Sequence, residues 1–183
     1  MDRRQKKTRT AIFEAFISLL SQYHFTQITV GKIIERADIG RATFYAHFET
    51  KESLLEALCG ELFDHILESA AGKGNDPKDI FHCDAPDSVF LHLFQHLEKN
   101  DNQILQLMAG QNHELFLQYF KDHLMQLVRK NLELFQKRYS SDLPEEFWVD
   151  HIATTFVETV RWWVENGRRE TPEKITKYFF LAV

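Results

Sequence analysis

Residues 29–51, TVGKIIERADIGRATFYAHFETK, constrain the fold of this chain more than any other stretch. Val30, Ile33, Ile34 and Ala37 recur at i, i+3, i+4 and i+7, which lays one apolar stripe along a helix. Thr29 stands just before the stripe, where its hydroxyl can take up an orphan backbone N–H as an N-cap. Asp38-Ile39-Gly40 then interrupts the period. Gly40 is expected to supply the backbone angles of a tight turn, with Ile39 plugging the space between helices. A second short helix follows over residues 41–48. Two short helices joined this tightly outline a helix-turn-helix.

Set on a wheel at about 100° per residue, the second helix buries Phe44 and Phe48 along one edge. Ala42, Thr43 and Ala46 lie opposite, with Arg41 and Tyr45 on one flank and His47 on the other. Small residues at the centre of such a face allow close approach to a DNA groove. Alanine or threonine methyls can meet a thymine methyl, and Arg41 can reach a guanine edge. Tyr45 and His47 can donate to phosphates, which positions without reading sequence. Thr50 reads as the N-cap of a third helix, and that helix start, with Lys51, as a phosphate seat. A generic three-helix bundle with a polar face is the competing interpretation. Charge weighs against it: residues 1–51 hold nine Lys/Arg and five Asp/Glu, a net of +4 in a chain of net −5. A basic opening segment on an acidic whole points to a nucleic-acid surface on residues 1–51.

The segment resembles the DNA-binding domain of the TetR (tetracycline-repressor) family of bacterial regulators. The elements that match are ITV at 28–30, the Ile33-to-Ala37 spacing, and above all RATFYAHFETKESLL at 41–55. The resemblance implies phosphate contacts from Thr29, Tyr45, His47 and Lys51 and base-facing roles for Arg41, Ala42 and Thr43. Gly40 departs from the family, standing where a serine often bonds a phosphate, which shifts weight to Arg41. The basic run RRQKKTR at 3–9 is expected to precede the first helix, either as an arm toward DNA or as a solvated tail.

Ile12, Phe16, Leu19, Leu20 and Tyr23 give the first helix its apolar face, set to pack on Ile33, Phe44 and Phe48. The helix from Lys51 continues through Leu54, Leu55, Leu58, Leu62 and Ile66 to about Ala70. The polar stretch AAGKGNDPKD at 70–79 reads as a loop. Beyond it the pattern gives helices over about 86–99, 102–109, 113–139, 144–166 and 172–183. Pro144 and Thr171-Pro172 mark starts and Asn166-Gly167 a stop. The expected architecture is all-α: an N-terminal three-helix helix-turn-helix domain (1–50) and a C-terminal helical ligand-binding and dimerisation domain (51–183). No apolar run reaches the length of a membrane span and no signal peptide is visible. Cys59 and Cys83 show no pairing pattern, so a reduced cytoplasmic location is the expectation.

The helix over 144–166 carries two adjacent apolar stripes, and an arc this wide needs more than one neighbour. TetR relatives generally dimerise through their last two helices, and RWWVENG followed by TPEKI resembles that region. Val149, Ala153, Val157, Val160, Val164 and Tyr178 are therefore expected to face a second subunit, as a homodimer reading a palindrome requires. The alternative is a central helix buried in a monomer. Phe90, Phe94, Met108, Phe116, Phe120 and Phe156 either line a pocket for a hydrophobic or aromatic small-molecule effector or form a packed core. His92 and His96, at i and i+4, have a spacing that can hold a metal. Spacing fixes no third ligand, so neither metal nor cofactor is assigned. No Glu-x-x-His pair, G-x-S-x-G elbow, P-loop or G-x-G-x-x-G is present, so no enzyme is expected. The function expected is a repressor released from double-stranded operator DNA by an effector. A family member acting mainly through protein contacts, or a metal-responsive one, is the alternative.

Overall fold

The computed structural model describes residues 3–70, 88–99, 114–135 and 143–183, and among these it is entirely helical. The elements are α1 (Arg3–Leu20), α2 (Val30–Ala37), α3 (Arg41–Tyr45), α4 (Lys51–Ala70), α5 (Val89–Lys99), α6 (Glu114–Lys130), α7 (Glu145–Glu165) and α8 (Pro172–Ala182). Two 3₁₀ turns, Phe25–Gln27 and Leu132–Phe135, complete the order. The expected helix over 102–109 and the loop from 71 to 79 lie outside the described residues.

Capping chemistry sets the boundaries. The Thr29 hydroxyl accepts from the Lys32 amide at 3.2 Å and starts α2. At α4 the cap is reciprocal: the Thr50 hydroxyl accepts from the Ser53 amide at 3.0 Å, and the Thr50 amide donates to the Ser53 hydroxyl at 3.1 Å. This is the capping-box logic with serine in place of the usual acid. Helix α7 stops in two bonds, Gly167 amide to Val164 carbonyl at 3.0 Å and Arg168 amide to Trp163 carbonyl at 2.9 Å. That pair is the Schellman pattern, and Gly167 sits at φ 69° as it demands. Thr171 and Pro172 open α8.

Three sequence expectations change. The basic run at 3–9 does not precede the first helix but forms its opening turns. Helix α1 ends at Leu20, so Tyr23 falls beyond it and is exposed, its ring holding the Lys32 ammonium at 4.1 Å. The helix expected to 139 ends at Lys130. There the Asn131 side chain donates to the Leu127 carbonyl at 2.8 Å, and its amide bonds three residues back to Val128, tightening the chain into the 3₁₀ turn.

One continuous apolar core runs from α1 to α8. In the N-terminal part Phe13 meets Phe48 edge-on at 5.5 Å and Phe16 meets Phe25 at 6.3 Å. In the C-terminal part Phe156 of α7 touches Phe94 of α5, Phe120 of α6 and Phe179 of α8, at ring distances of 4.5, 6.4 and 5.3 Å. Each fully buried phenylalanine contributes about 1.5–3 kcal/mol. Helix α4 joins the two parts, packing on α5 and α6, and Arg9 of α1 is tied to it by an ion pair to Glu61 at 3.1 Å.

Candidate nucleic-acid interface

The α2–α3 turn is built differently from expectation. Asp38, not Gly40, takes the left-handed conformation, at φ 51° and ψ 52°, and its amide bonds back to Glu35 and Ile34. Aspartate tolerates this region better than most residues. Gly40 is an extended N-cap at φ −76° and ψ 153°, which any residue adopts. A Cβ at Gly40 would meet the Thr43 hydroxyl oxygen at an ordinary 3.6 Å. Glycine is therefore not required here, and the serine common in relatives would fit.

Helix α3 is a single pinned element of five residues, shorter than the expected 41–48, because residues 46–47 turn toward the α4 start. Phe44 is fully buried and Phe48 nearly so. Their rings lie 6.1 Å apart, and Phe48 also meets Phe13. Anchored by this edge, α3 holds Arg41, Ala42, Thr43 and Tyr45 exposed, and the turn after it leaves Ala46 exposed and His47 half-buried. Tyr45 is 49% exposed while its ring edge leans on Phe44 at 5.6 Å. The hydroxyl is thus aimed outward by a buried neighbour.

The basic residues near the turn divide into two sets. Lys32 donates to the Gln27 carbonyl at 3.1 Å, and Arg36 to the Gln22 side-chain oxygen at 3.4 Å. Lys51 donates to the carbonyls of Phe25 and Ile28, both at 2.9 Å, over the Phe25 ring at 4.4 Å. Two of its three N–H groups are thereby spent on the 3₁₀ turn, leaving one for a phosphate. Arg41 alone of these four has no partner among the described residues, and it stands exposed at the start of α3.

The other residues singled out from the sequence are placed as follows. Phe90, Phe94, Phe116, Phe120 and Phe156 are buried in mutual ring contact, and Met108 lies outside the described residues. Val149, Ala153 and Val160 have no exposed surface within a single subunit and Val157 very little. They belong to the protomer's own core, because α5, α6 and α8 together cover the wide arc of α7. Val164 and Tyr178 lie at its half-buried edge. The exposed apolar residues of these helices are instead Phe147, Trp162 and Leu181. A groove between α7 and α8 is lined by Thr155, Thr159, Trp162, Tyr178 and Ala182 with Glu158 at its side. Sequence periodicity did not single out Trp162, which lies about 100° round the helix from the Trp163 core position. No described helix is long and apolar enough to cross a membrane.

Comparison with known proteins matches this arrangement. Residues 12–58 match the family model of bacterial regulatory proteins of the tetR family, and residues 84–183 a transcriptional regulator C-terminal region. A TetR transcriptional regulator from Streptococcus agalactiae 2603V is 33% identical, with TM-score 0.71 over 100% of this chain and 96% of that one. The dihydroxyacetone kinase operon activator DhaS shares the fold at TM-score 0.66 and 23% identity, over 96% of this chain and 94% of its own. The HTH-type transcriptional regulator YxbF of Bacillus subtilis (strain 168) is 25% identical over 100% of this chain. The chain spans about half of that relative's length, 47%.

Proposed function

The chain belongs to the TetR family of bacterial transcriptional regulators, and from that premise we propose that it binds double-stranded operator DNA as a homodimer through the exposed face of α3. One observation carries the proposal. A five-residue helix is locked by buried Phe44 while Arg41, Ala42, Thr43 and Tyr45 are exposed. Arg41 reads a base edge. Ala42 and Thr43 give close approach, and Tyr45, His47 and the Thr29 hydroxyl hold phosphates. Lys51 adds a third-donor contact, and Gly40 leaves the helix start unobstructed.

In the dimer, the α7–α8 groove with Trp162 and Tyr178 meets its copy across a two-fold axis. The two α3 helices then address the halves of a palindrome. The protein is a repressor of the cytoplasm, not an enzyme, and regulation is a population shift between DNA-competent and DNA-incompetent spacings. A hydrophobic or aromatic effector would act by prying apart the rings of Phe90, Phe94 and Phe156, which already touch. Metal-responsive control is the second reading, favoured by three buried histidines between α4 and α5.

The test is to select bound DNA from a random library and measure its affinity by fluorescence anisotropy. Arg41→Ala is expected to cost about 1–3 kcal/mol and to relax specificity at one position of each half-site, with the melting temperature unchanged. No enriched sequence, or equal affinity of the variant, would defeat the proposal.

A further inference from the structure

Helix α5 presents His92 and His96 one turn apart to α4, where His65 completes a triangle of imidazoles. All three are buried, at 7%, 1% and 3% exposure for His65, His92 and His96. The ring centroids of His65 lie 5.0 Å from His92 and 4.8 Å from His96, and His92 and His96 are 4.8 Å apart. One ligating nitrogen can be chosen on each ring so that all three lie within 4.8 Å of one another.

We propose that this triangle is a binding site for a first-row divalent transition metal, Zn²⁺ above all, held by His65, His92 and His96. Imidazole without thiolate or carboxylate is a donor set for Zn²⁺, Cu²⁺, Ni²⁺ or Co²⁺ and not for Mg²⁺ or Ca²⁺. Zinc–imidazole bonds of about 2.0–2.1 Å in a tetrahedral shell put neighbouring nitrogens about 3.3–3.4 Å apart. The Nε2 atoms of His92 and His96 already stand 3.1 Å apart. Without a metal, one of these nitrogens carries the proton that bridges them. With a metal, both present lone pairs, and the proton moves to Nδ1 of its ring or to solvent. His65 offers the third nitrogen, within 4.8 Å of the other two. Three protein ligands leave one coordination position for water or a small anion.

The i, i+4 pair on a single helix is a weak signal by itself. The third ligand from a different helix makes a closed set. An ion here clamps α4, which begins at the helix-turn-helix, to α5 of the C-terminal core. The site goes beyond the DNA-binding proposal and does not rest on it.

The test uses the untagged full chain, stripped with a chelator and titrated with Zn²⁺ and, separately, Co²⁺. One bound ion per chain is expected by elemental analysis, with a rise in melting temperature on loading. Co²⁺ should give the intense visible bands of a tetrahedral nitrogen-ligated ion. His96→Phe keeps a ring of similar volume in the core, and it is expected to weaken binding about 100-fold or more. His65→Gln, at the least buried corner, serves if that variant does not fold. No stoichiometric binding of Zn²⁺, Co²⁺, Ni²⁺ or Cu²⁺, or equal binding by the folded variants, would overturn the site. Either result is read without DNA, so it is distinguishable from failure of the operator proposal.

Discussion

The Lys51 ammonium donates to the carbonyls of Phe25 and Ile28 while resting on the Phe25 ring. The Phe25 carbonyl, which also accepts from the Ile28 amide at 3.2 Å, belongs to the 3₁₀ turn, and the Ile28 carbonyl stands just beyond it, so the ammonium ties down the link into α2. A lysine used only for phosphate would be dispensable to the fold, and this one is not. Lys51→Ala is expected to lower unfolding free energy by about 1.5–3 kcal/mol, the worth of hydrogen bonds to a charged group, read by urea denaturation without DNA. An unchanged midpoint would show the two bonds to be idle. Cys59 makes a different residue-scale prediction. Burial, with the nearby Glu56 carboxylate adding to it, pushes its thiol from 9.0 to about 12. Between those values the unfolded chain has lost the thiol proton and the folded chain keeps it. Stability therefore falls as pH rises through this window, by about 1.4 kcal/mol per unit. Below the unfolded value the contribution is flat. Cys59→Ala, compared with the parent by denaturation across the same range, should show a shallower decline by that amount per unit. Parallel slopes would refute it.

At the scale of elements, the turn between α7 and α8 isolates a backbone effect. Gly167 sits at φ 69°, and a Cβ there would meet nothing within 4 Å. Gly167→Ala thus costs only the left-handed conformation, about 1 kcal/mol, read as a lowered melting temperature. The Trp163 indole, which donates to the Glu170 carbonyl at 2.8 Å across the same turn, keeps the geometry in place. Asn166-Gly167 announced this stop in the sequence because a Schellman turn is local chemistry. The same holds for Thr29, Thr50 and Thr171-Pro172, and for the Phe44–Phe48 edge, which a helical period alone predicts. What the sequence hid was tertiary. Val149, Ala153 and Val160 looked like a free stripe because the period shows that a face is apolar, not how many neighbours cover it. Three helices of the same chain do. The exposure of Tyr23 followed from α1 ending a turn early. His65 could not be joined to His92 and His96, because their meeting depends on how α4 packs on α5, some 27 residues along the chain from the nearer of them. Gly40 misled in another way: the turn needed one left-handed residue, and Asp38 was able to fill it.

For the whole molecule, the proposed reading of a palindrome needs two copies of α3, so the proposal stands or falls with assembly. The surface available for it centres on Trp162, 46% exposed with its ring 6.2 Å from Tyr178, and on Leu181, 63% exposed. Tryptophan and tyrosine are the residues that most often carry interface energy, at about 2 kcal/mol or more each. In an isologous dimer each substitution counts twice. Trp162→Glu should therefore raise the dimer dissociation constant by about a thousandfold, the equivalent of about 4 kcal/mol. The fold should survive, because the side chain is half in solvent and its core neighbour Trp163 is untouched, so the thermal midpoint serves as control. Sedimentation velocity over a concentration series would show the variant as monomer where the parent is dimer. Leu181→Glu, on the other helix of the same face, should act in the same direction. Operator affinity should fall with dimer affinity, since a lone α3 reads one half-site. If parent and variants sediment alike, the α7–α8 face is not the interface; if they differ but bind a palindrome equally, pairing of the subunits is not what positions the two recognition helices.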